Sequence, residues 1–497
     1  MIAWILLGTY LAAMVGIGIW GMRKTTSIGD FFLGGRSIGP WVSAFAYGTT
    51  YFSAVLFIGF AGKLGWKFGL NSLWIAAGNA AFGSLAAWLV LARRTRRMTQ
   101  NLSTMTMPEF LGERFGGGMT KTLAALIIFI FLLPYSASIF KGLSHLFEAV
   151  FHLPYDTALL IMIGITGIYL ILGGYFAITL TDFIQGLIML VGSVLMIGII
   201  LGKAGGVPEA FHAATTSFLR HVPVAAAPPF MYIAMLVSLV FMTSFGTWGL
   251  PQMVQKFYAV KSEKVIVRAA VVTFLFSIVI SFAAYLNGAL SHVFVDAPPA
   301  LAGGGPDWDR LIPDILMRVL PGWLMAVILL LVLAASMSTL SSLVLVSASA
   351  ISIDLVGARR KNPGPKSGLA LIRVLSGVFI IVSFLIARYQ LAVIVTLMSL
   401  SWGVVAGAFM APFLYGLYGK RTTRAGVLAG MFTGMTLAIG LFFILGPDNS
   451  PIASTIAMIV PFAVVPLVSA FTQAPDPALI ARAFDGIGQA RRLRGTD

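Results

Sequence analysis

Long uncharged apolar runs recur along this chain between short polar connections, and many reach the roughly 20 residues a helix needs to cross a bilayer. In hydrocarbon the backbone N–H and C=O groups must be satisfied internally, so such runs fold as transmembrane helices. Thirteen spans are read, at about 2–22, 40–62, 68–92, 122–150, 157–174, 177–202, 229–254, 269–290, 322–353, 374–387, 391–418, 425–446 and 452–472. Composition agrees: 59% of the 497 residues are hydrophobic and only 10% are charged, against about 25% charged in an ordinary soluble domain.

The same sequence excludes several chemistries. There is no cysteine, so disulfides, thiolate metal sites and thiol redox chemistry are out. Five scattered histidines show no HExxH or related spacing, which leaves metalloenzyme chemistry without ligands. No GxxxxGK[ST] loop points to ATP, and no paired acids or Ser/His/Asp grouping points to a membrane enzyme.

A net charge of +16 would suit a nucleic-acid binder if it were spread over a soluble surface. Its distribution says otherwise. With the N-terminus outside, the connections at 23–39, 93–121, 255–268, 354–373, 419–424 and 473–497 face inward and carry 25 of the 33 Lys and Arg. The outward ones carry Lys63, Lys67, Lys203, Arg220, Arg310, Arg318 and Arg388, and Lys141 falls inside a span. This is the positive-inside bias, so the basicity reflects topology and predicts a multi-pass cell-membrane protein with a cytoplasmic C-terminus. The first span is too long for a signal-peptide core and is expected to stay. The outward loop 291–314 reads as a solvated Gly/Pro-rich connection, and the tail with Arg491, Arg492 and Arg494 as an anchor at anionic lipid.

Polar groups placed in hydrocarbon mark what the bundle is for. Residues 331–342 read LVLAASMSTLSS; Ser338, Ser341 and Ser342 share one helix face, with Thr339 at its edge. Such hydroxyls either glue helices together or line an ion path. Asp182 is the acidic residue lying well within an apolar span, which makes it a functional candidate or a buried hydrogen-bond anchor. Lys141 either snorkels, pairs with a carboxylate or binds substrate. Glu148 and Asp354 fall near span ends, within reach of water.

Backbone breakers add a third signal. The second span carries Gly48-Thr49-Thr50-Tyr51, and the seventh carries Gly246, Gly249 and Pro251 within SFGTWGLPQ. Interrupted helices at corresponding positions of two halves mark the binding site in many secondary transporters. Here the interruptions lie five spans apart, and an odd offset inverts one half relative to the other.

The segments DFFLGGRSIGPWVSAFAYG (30–48), GGYFAITLTDFIQG (173–186), GLPQMVQKFYAVKS (249–262) and LAASMSTLSS (333–342) together resemble the sodium:solute symporter family, in the family's order. The resemblance covers roughly residues 1–470. It implies an all-α fold with a LeuT-type inverted five-helix repeat core, one extra span before it and two after. The corresponding boundaries are 1–39 for the extra span and its loop, 40–418 for the core (repeats about 40–202 and 229–418), 419–472 for two further spans, and 473–497 for the tail. The resemblance also implies sodium as the coupling ion. Its site would use the backbone carbonyls of Thr49, Phe52 and Ala335 with the hydroxyls of Ser338 and Thr339. A second sodium site, present in some relatives, would fall on Asp182, Ser338, Ser341 and Ser342. Oxygen ligands suit a hard cation, and unwound backbone supplies carbonyls without a buried charge.

The function so implied is sodium-coupled symport of a small organic solute: an organic acid, an amino acid or a sugar. The cavity is expected between the second, fourth, seventh and eleventh spans, with Thr50, Ser53, Thr247 and Trp248 as substrate contacts and Lys141 as a counter-charge. Tyr47, Phe245 and Trp402 serve either as gates or as core. Tyr51 stands where proline symporters carry an aspartate, which tilts the expectation from proline toward the pantothenate and monocarboxylate branches. A proton-coupled carrier using Asp182 is the alternative. A membrane sensor fits less well, because no signalling module follows residue 472. The expected partners are the solute, sodium and the lipid bilayer, with no nucleic acid; oligomeric state has no signature in the sequence.

Overall fold

A computed structural model describes residues 2–24, 33, 36–172, 175–221, 229–301, 303–357 and 365–487. The basic C-terminal residues, most of the loop after the first span and Gly173-Gly174 lie outside the described residues. Among the described residues the chain is almost wholly helical. Eleven segments of the described residues are long and apolar enough to cross a membrane. One of them, Val55–Asn101, turns back at Gly69, whose φ of +52° is open to glycine, so it contains two crossings. The shorter apolar helix Tyr155–Gly167 supplies the fifth expected span. Counted so, the described residues hold about thirteen crossings, while some helices run past the expected bounds, as Pro365–Arg388 does against 374–387.

Burial separates the spans by role. In the ninth span (Gly322–Gly357) 89% of the apolar window is buried, and in the eleventh (Ile394–Tyr418) 94%, whereas in the first (Ala3–Trp20) only 22% is. The ninth and eleventh spans therefore form the centre of the bundle, and the first faces outward. Small residues set the closest approaches. A Cβ on Gly65 would fall on the backbone of Gly288, so the second half of the second span and the eighth span cross in backbone contact. A Cβ on Gly186 would meet Phe45 and Thr49, which lets the sixth span lie against the first half of the second.

Both interrupted spans are interrupted. Pro40 opens the helix Pro40–Tyr51, where a fixed φ costs nothing. That helix stops at Phe52, which is extended at φ −111° and ψ 123°. The chain resumes through a π-helical turn, Val55–Phe60, into the helix Ala61–Phe68. In the seventh span, Pro229–Phe245 tightens into a 3₁₀ turn, Gly246–Trp248, and Pro251 opens a new helix, Pro251–Tyr258.

Ion pairs between connections respect the two sides read from the sequence. Lys63 pairs with Asp448 and Arg388 with Asp156 on the side called outward. Arg93 and Arg97 pair with Glu263, Lys121 with Asp354, and Arg482 with Glu113 on the side called inward.

Three placements differ from expectation. Asp309, read as part of a solvated loop, is 1% exposed, because the helix Trp308–Val319 folds back into the bundle. Asp354 is 1% exposed instead of wetted; the Thr106 hydroxyl donates to its carboxylate and Lys121 lies 3.3 Å away. Lys256, counted among the inward-facing basic residues, is buried, because Pro251 restarts the seventh span and carries it on to Tyr258.

Candidate functional site

A helix that ends inside a bundle leaves its last carbonyls without intrahelical partners. At the end of Pro40–Tyr51 those carbonyls include Thr49 and Thr50, and the ninth span answers them. Ser338 Oγ donates to the Thr49 carbonyl at 2.7 Å, and Thr339 Oγ1 lies 3.3 Å from the Thr49 carbonyl and 3.2 Å from that of Thr50. Both hydroxyls also reach the Ala335 carbonyl, at 3.0 and 3.1 Å. Thr49, Ala335, Ser338 and Thr339 are all fully buried. The outcome is a compact all-oxygen cluster with no formal charge, held by hydroxyl hydrogens that can turn away. That donor set fits a hard monovalent cation.

Phe52 sits in the break itself. Its N–H goes to Gly48, and its ring stacks on Tyr51 at 4.3 Å. Ser53 caps the resumed helix, its hydroxyl accepting from the Val55 N–H, while the Ala54 N–H donates to Ser336 Oγ.

The second proposed cluster looks different. Asp182 Oδ2 lies 3.3 Å from Lys256 Nζ, which also donates to Ser342 Oγ at 3.0 Å. The Thr50 and Ser342 hydroxyls are 3.1 Å apart, so Thr50 faces this cluster and not the solute cavity. Ser341 turns to its own helix, donating to the Ser338 carbonyl. Of the four residues, Asp182 and Ser342 are brought together by a lysine that the sequence reading assigned to a loop. The available signal was Pro251 as a helix start, which puts Lys256 on an apolar turn between Val254 and Phe257.

Beside the break lies a narrow cavity of about 20 Å³, room for about one water molecule. Its wall comes from the second span (Tyr51, Phe52, Ser53, Val55, Leu56, Phe60), with Tyr135 of the fourth, Thr243 of the seventh, and Met398 and Trp402 of the eleventh. The third and eighth spans add Asn79 and Tyr285. No wall residue carries a formal charge. The Tyr51 hydroxyl donates to the Thr243 carbonyl at 2.6 Å, and Asn79 Oδ1 accepts from Thr243 Oγ1 at 2.8 Å, so this wall is hydrogen-bonded into shape.

Among the expected substrate contacts, Ser53 lines this cavity. Thr247 and Trp248 instead bind the carbonyls of Gly83 and Phe82, clamping the break of the seventh span to the third. Lys141 forms a 2.8 Å ion pair with Asp309 and donates to the Ala392 carbonyl, so its charge is neutralised within the bundle and away from the cavity wall. Tyr47 and Phe245 are packing residues, Tyr47 against Trp88 and Phe257, Phe245 against Phe82; Trp402 faces the cavity. The wall residues Tyr135, Asn79, Thr243 and Tyr285 were not singled out, because nothing local distinguishes them from other buried polar residues.

A protein-family model described as the sodium:solute symporter family matches residues 31–434. The osmoregulated proline transporter of Bacillus subtilis is 32% identical over 443 residues, covering 86% of both chains. The sodium/proline symporter of Escherichia coli is 30% identical over 435 residues, again 86% of each. Both of these relatives are named for proline, whereas Tyr51 departs from the proline pattern at its own position. Among solved structures, a sodium-coupled sialic acid symporter superposes with a TM-score of 0.77 at 18% identity, covering 96% of this chain and 98% of that one. A nucleobase-cation-symport-1 family transporter gives 0.55 at 14% identity. The shared architecture is the LeuT-type fold.

Proposed function

The chain belongs to the sodium:solute symporter family, a family of transporters and not enzymes, and on that footing we propose that it carries a small organic solute into the cell together with sodium. The observation that carries this reading is the oxygen cluster of Thr49, Ala335, Ser338 and Thr339, which joins the broken second span to the ninth. Sodium arriving from outside exchanges the inter-span hydrogen bonds for ion contacts and favours the state in which the solute cavity is formed. Its leverage equals its difference in affinity between the outward- and inward-facing states. The membrane potential adds about 2.3 kcal/mol per charge per 100 mV.

The solute is small and carries no net charge that needs a buried partner, because the cavity wall is uncharged and aromatic. Proline fits that description: an apolar ring for Phe52 and Trp402, and a zwitterion for hydroxyls, Asn79 and the backbone of the break. The relatives at about 30% identity are named for proline, so it is the first solute to try. The positive-inside distribution of Lys and Arg supports the inner or plasma membrane with the N-terminus outside, and the pairs of Lys63 with Asp448, Arg93 with Glu263 and Arg388 with Asp156 join connections that this threading puts on the same side.

The test is the melting temperature of the purified protein with proline, monocarboxylates and sugars, each with and without sodium, since a ligand of the native state stabilises it by mass action. A shift for one solute that grows with sodium is the expected result. Uptake that persists without sodium and rises as pH falls would replace this reading with proton coupling.

A further inference from the structure

The pair formed by Asp182 and Lys256 is not needed to build the sodium cluster, and both side chains are at most 1% exposed. Charged groups are brought that deep only when something repays their desolvation. Three elements contribute. Asp182 comes from the sixth span, Ser342 from the ninth, and Lys256 from the helix that Pro251 restarts after the break of the seventh. The ammonium sits where a mobile cation facing that carboxylate would sit, 3.3 Å from Asp182 Oδ2 and 3.0 Å from Ser342 Oγ. Asp182 Oδ1 is buried with no hydrogen-bond partner among the described residues, so the carboxylate can take a mobile cation once the Lys256 ammonium is gone.

We propose that Lys256 is a built-in cation that fills this second position, so that the protein binds one sodium ion where Asp182 and the hydroxyls of the ninth span would otherwise take a second. This rests on the sodium-coupled reading above. The carboxylate and the ammonium balance, and a sodium ion added beside them would leave an uncompensated positive charge in a dry core, repelled by the lysine. Two hydroxyls that a second ion would use are turned elsewhere: Ser342 accepts from Lys256, and Ser341 donates to the Ser338 carbonyl of its own helix. A tethered cation also cannot leave with the cargo. It clamps the seventh span to the sixth and ninth whatever the sodium concentration, and it touches the sodium cluster through Ser342 and the Thr50 hydroxyl.

The experiment is equilibrium binding of radioactive sodium to the purified full chain without any solute. The wild type is expected to saturate at one ion per chain and Lys256→Met at two, a doubling of capacity. The extra ion is lost again in Lys256→Met/Asp182→Asn. Retention of wild-type affinity for the first ion reports that each variant is folded. Two ions bound by the wild type overturn the proposal even if no variant folds, and so does a folded Lys256→Met that binds one. A wild type that binds none overturns sodium coupling as well, which separates that failure from this one.

Discussion

The hydroxyl of Ser338 donates to the carbonyl of Thr49 across 2.7 Å, and this bond ties the buried ninth span to the last turn of the interrupted second. An interruption at Phe52 exposes carbonyls that hydrocarbon would penalise by several kcal/mol each. Span nine meets the cost with side-chain hydroxyls and not with helix backbone. The joint is therefore strong enough to fold around and is made of groups that a cation can take over.

Removing either hydroxyl should be felt through sodium and not through solute. For Ser338→Ala and Thr339→Ala we expect the sodium concentration for half-maximal solute uptake to rise by about 10-fold or more, since contacts to charged groups contribute roughly 1.5–3 kcal/mol. Sodium titrations of uptake in membrane vesicles read this directly. An unchanged sodium dependence in both variants would remove the cluster as the ion site.

Filling the cavity should do the reverse. Met398 lines it from the eleventh span, away from the Ser338 cluster. With Met398→Trp the stabilisation by solute should vanish while stabilisation by sodium alone remains, as read by melting temperature. Loss of both together would mean that the variant disturbed the bundle, and retention of both would place the solute elsewhere.

The Lys141–Asp309 pair is buried on both sides, at 6% and 2% side-chain exposure. Breaking one member leaves an unpaired buried charge, which costs about 3–5 kcal/mol. Lys141→Met and Asp309→Leu should each lower the melting temperature sharply, and the double variant should recover most of the loss. Solute affinity in the double variant should stay near wild type, because neither residue lines the cavity. A selective loss of affinity for carboxylate solutes would return Lys141 to the substrate.

Gly65 and Gly288 meet backbone to backbone. A methyl group at either position has to push two helices apart, and overpacking of this kind costs about 1–3 kcal/mol in a packed interior. Gly288→Ala should therefore lower yield and melting temperature, whereas alanine at Gly8, which faces open space, should be silent. Equal behaviour of the two would contradict the crossing.

Much of this protein is written in local chemistry. Runs of about 20 apolar residues can only cross the bilayer, the inward excess of Lys and Arg orients them, and Gly with Pro in the second and seventh spans announces the interruptions. Ser338 and Thr339 were readable for the same reason: a hydroxyl in hydrocarbon needs an explanation wherever it occurs.

The pairings were not readable. Lys141 with Asp309, Lys121 with Asp354, and Lys256 with Asp182 and Ser342 join segments 74 to 233 residues apart, or else a span to a loop the sequence shows only as polar. Hydropathy reports what a residue would prefer, and a lysine prefers water. Whether it is denied water depends on which helix the fold lays over it and which carboxylate waits there. So the sequence alone determined that this chain spans a membrane and where its helices break, and its Lys and Arg distribution supplied the expected threading. The tertiary structure decided which buried charges neutralise each other, because that is settled by distances of about 3 Å between residues remote along the chain.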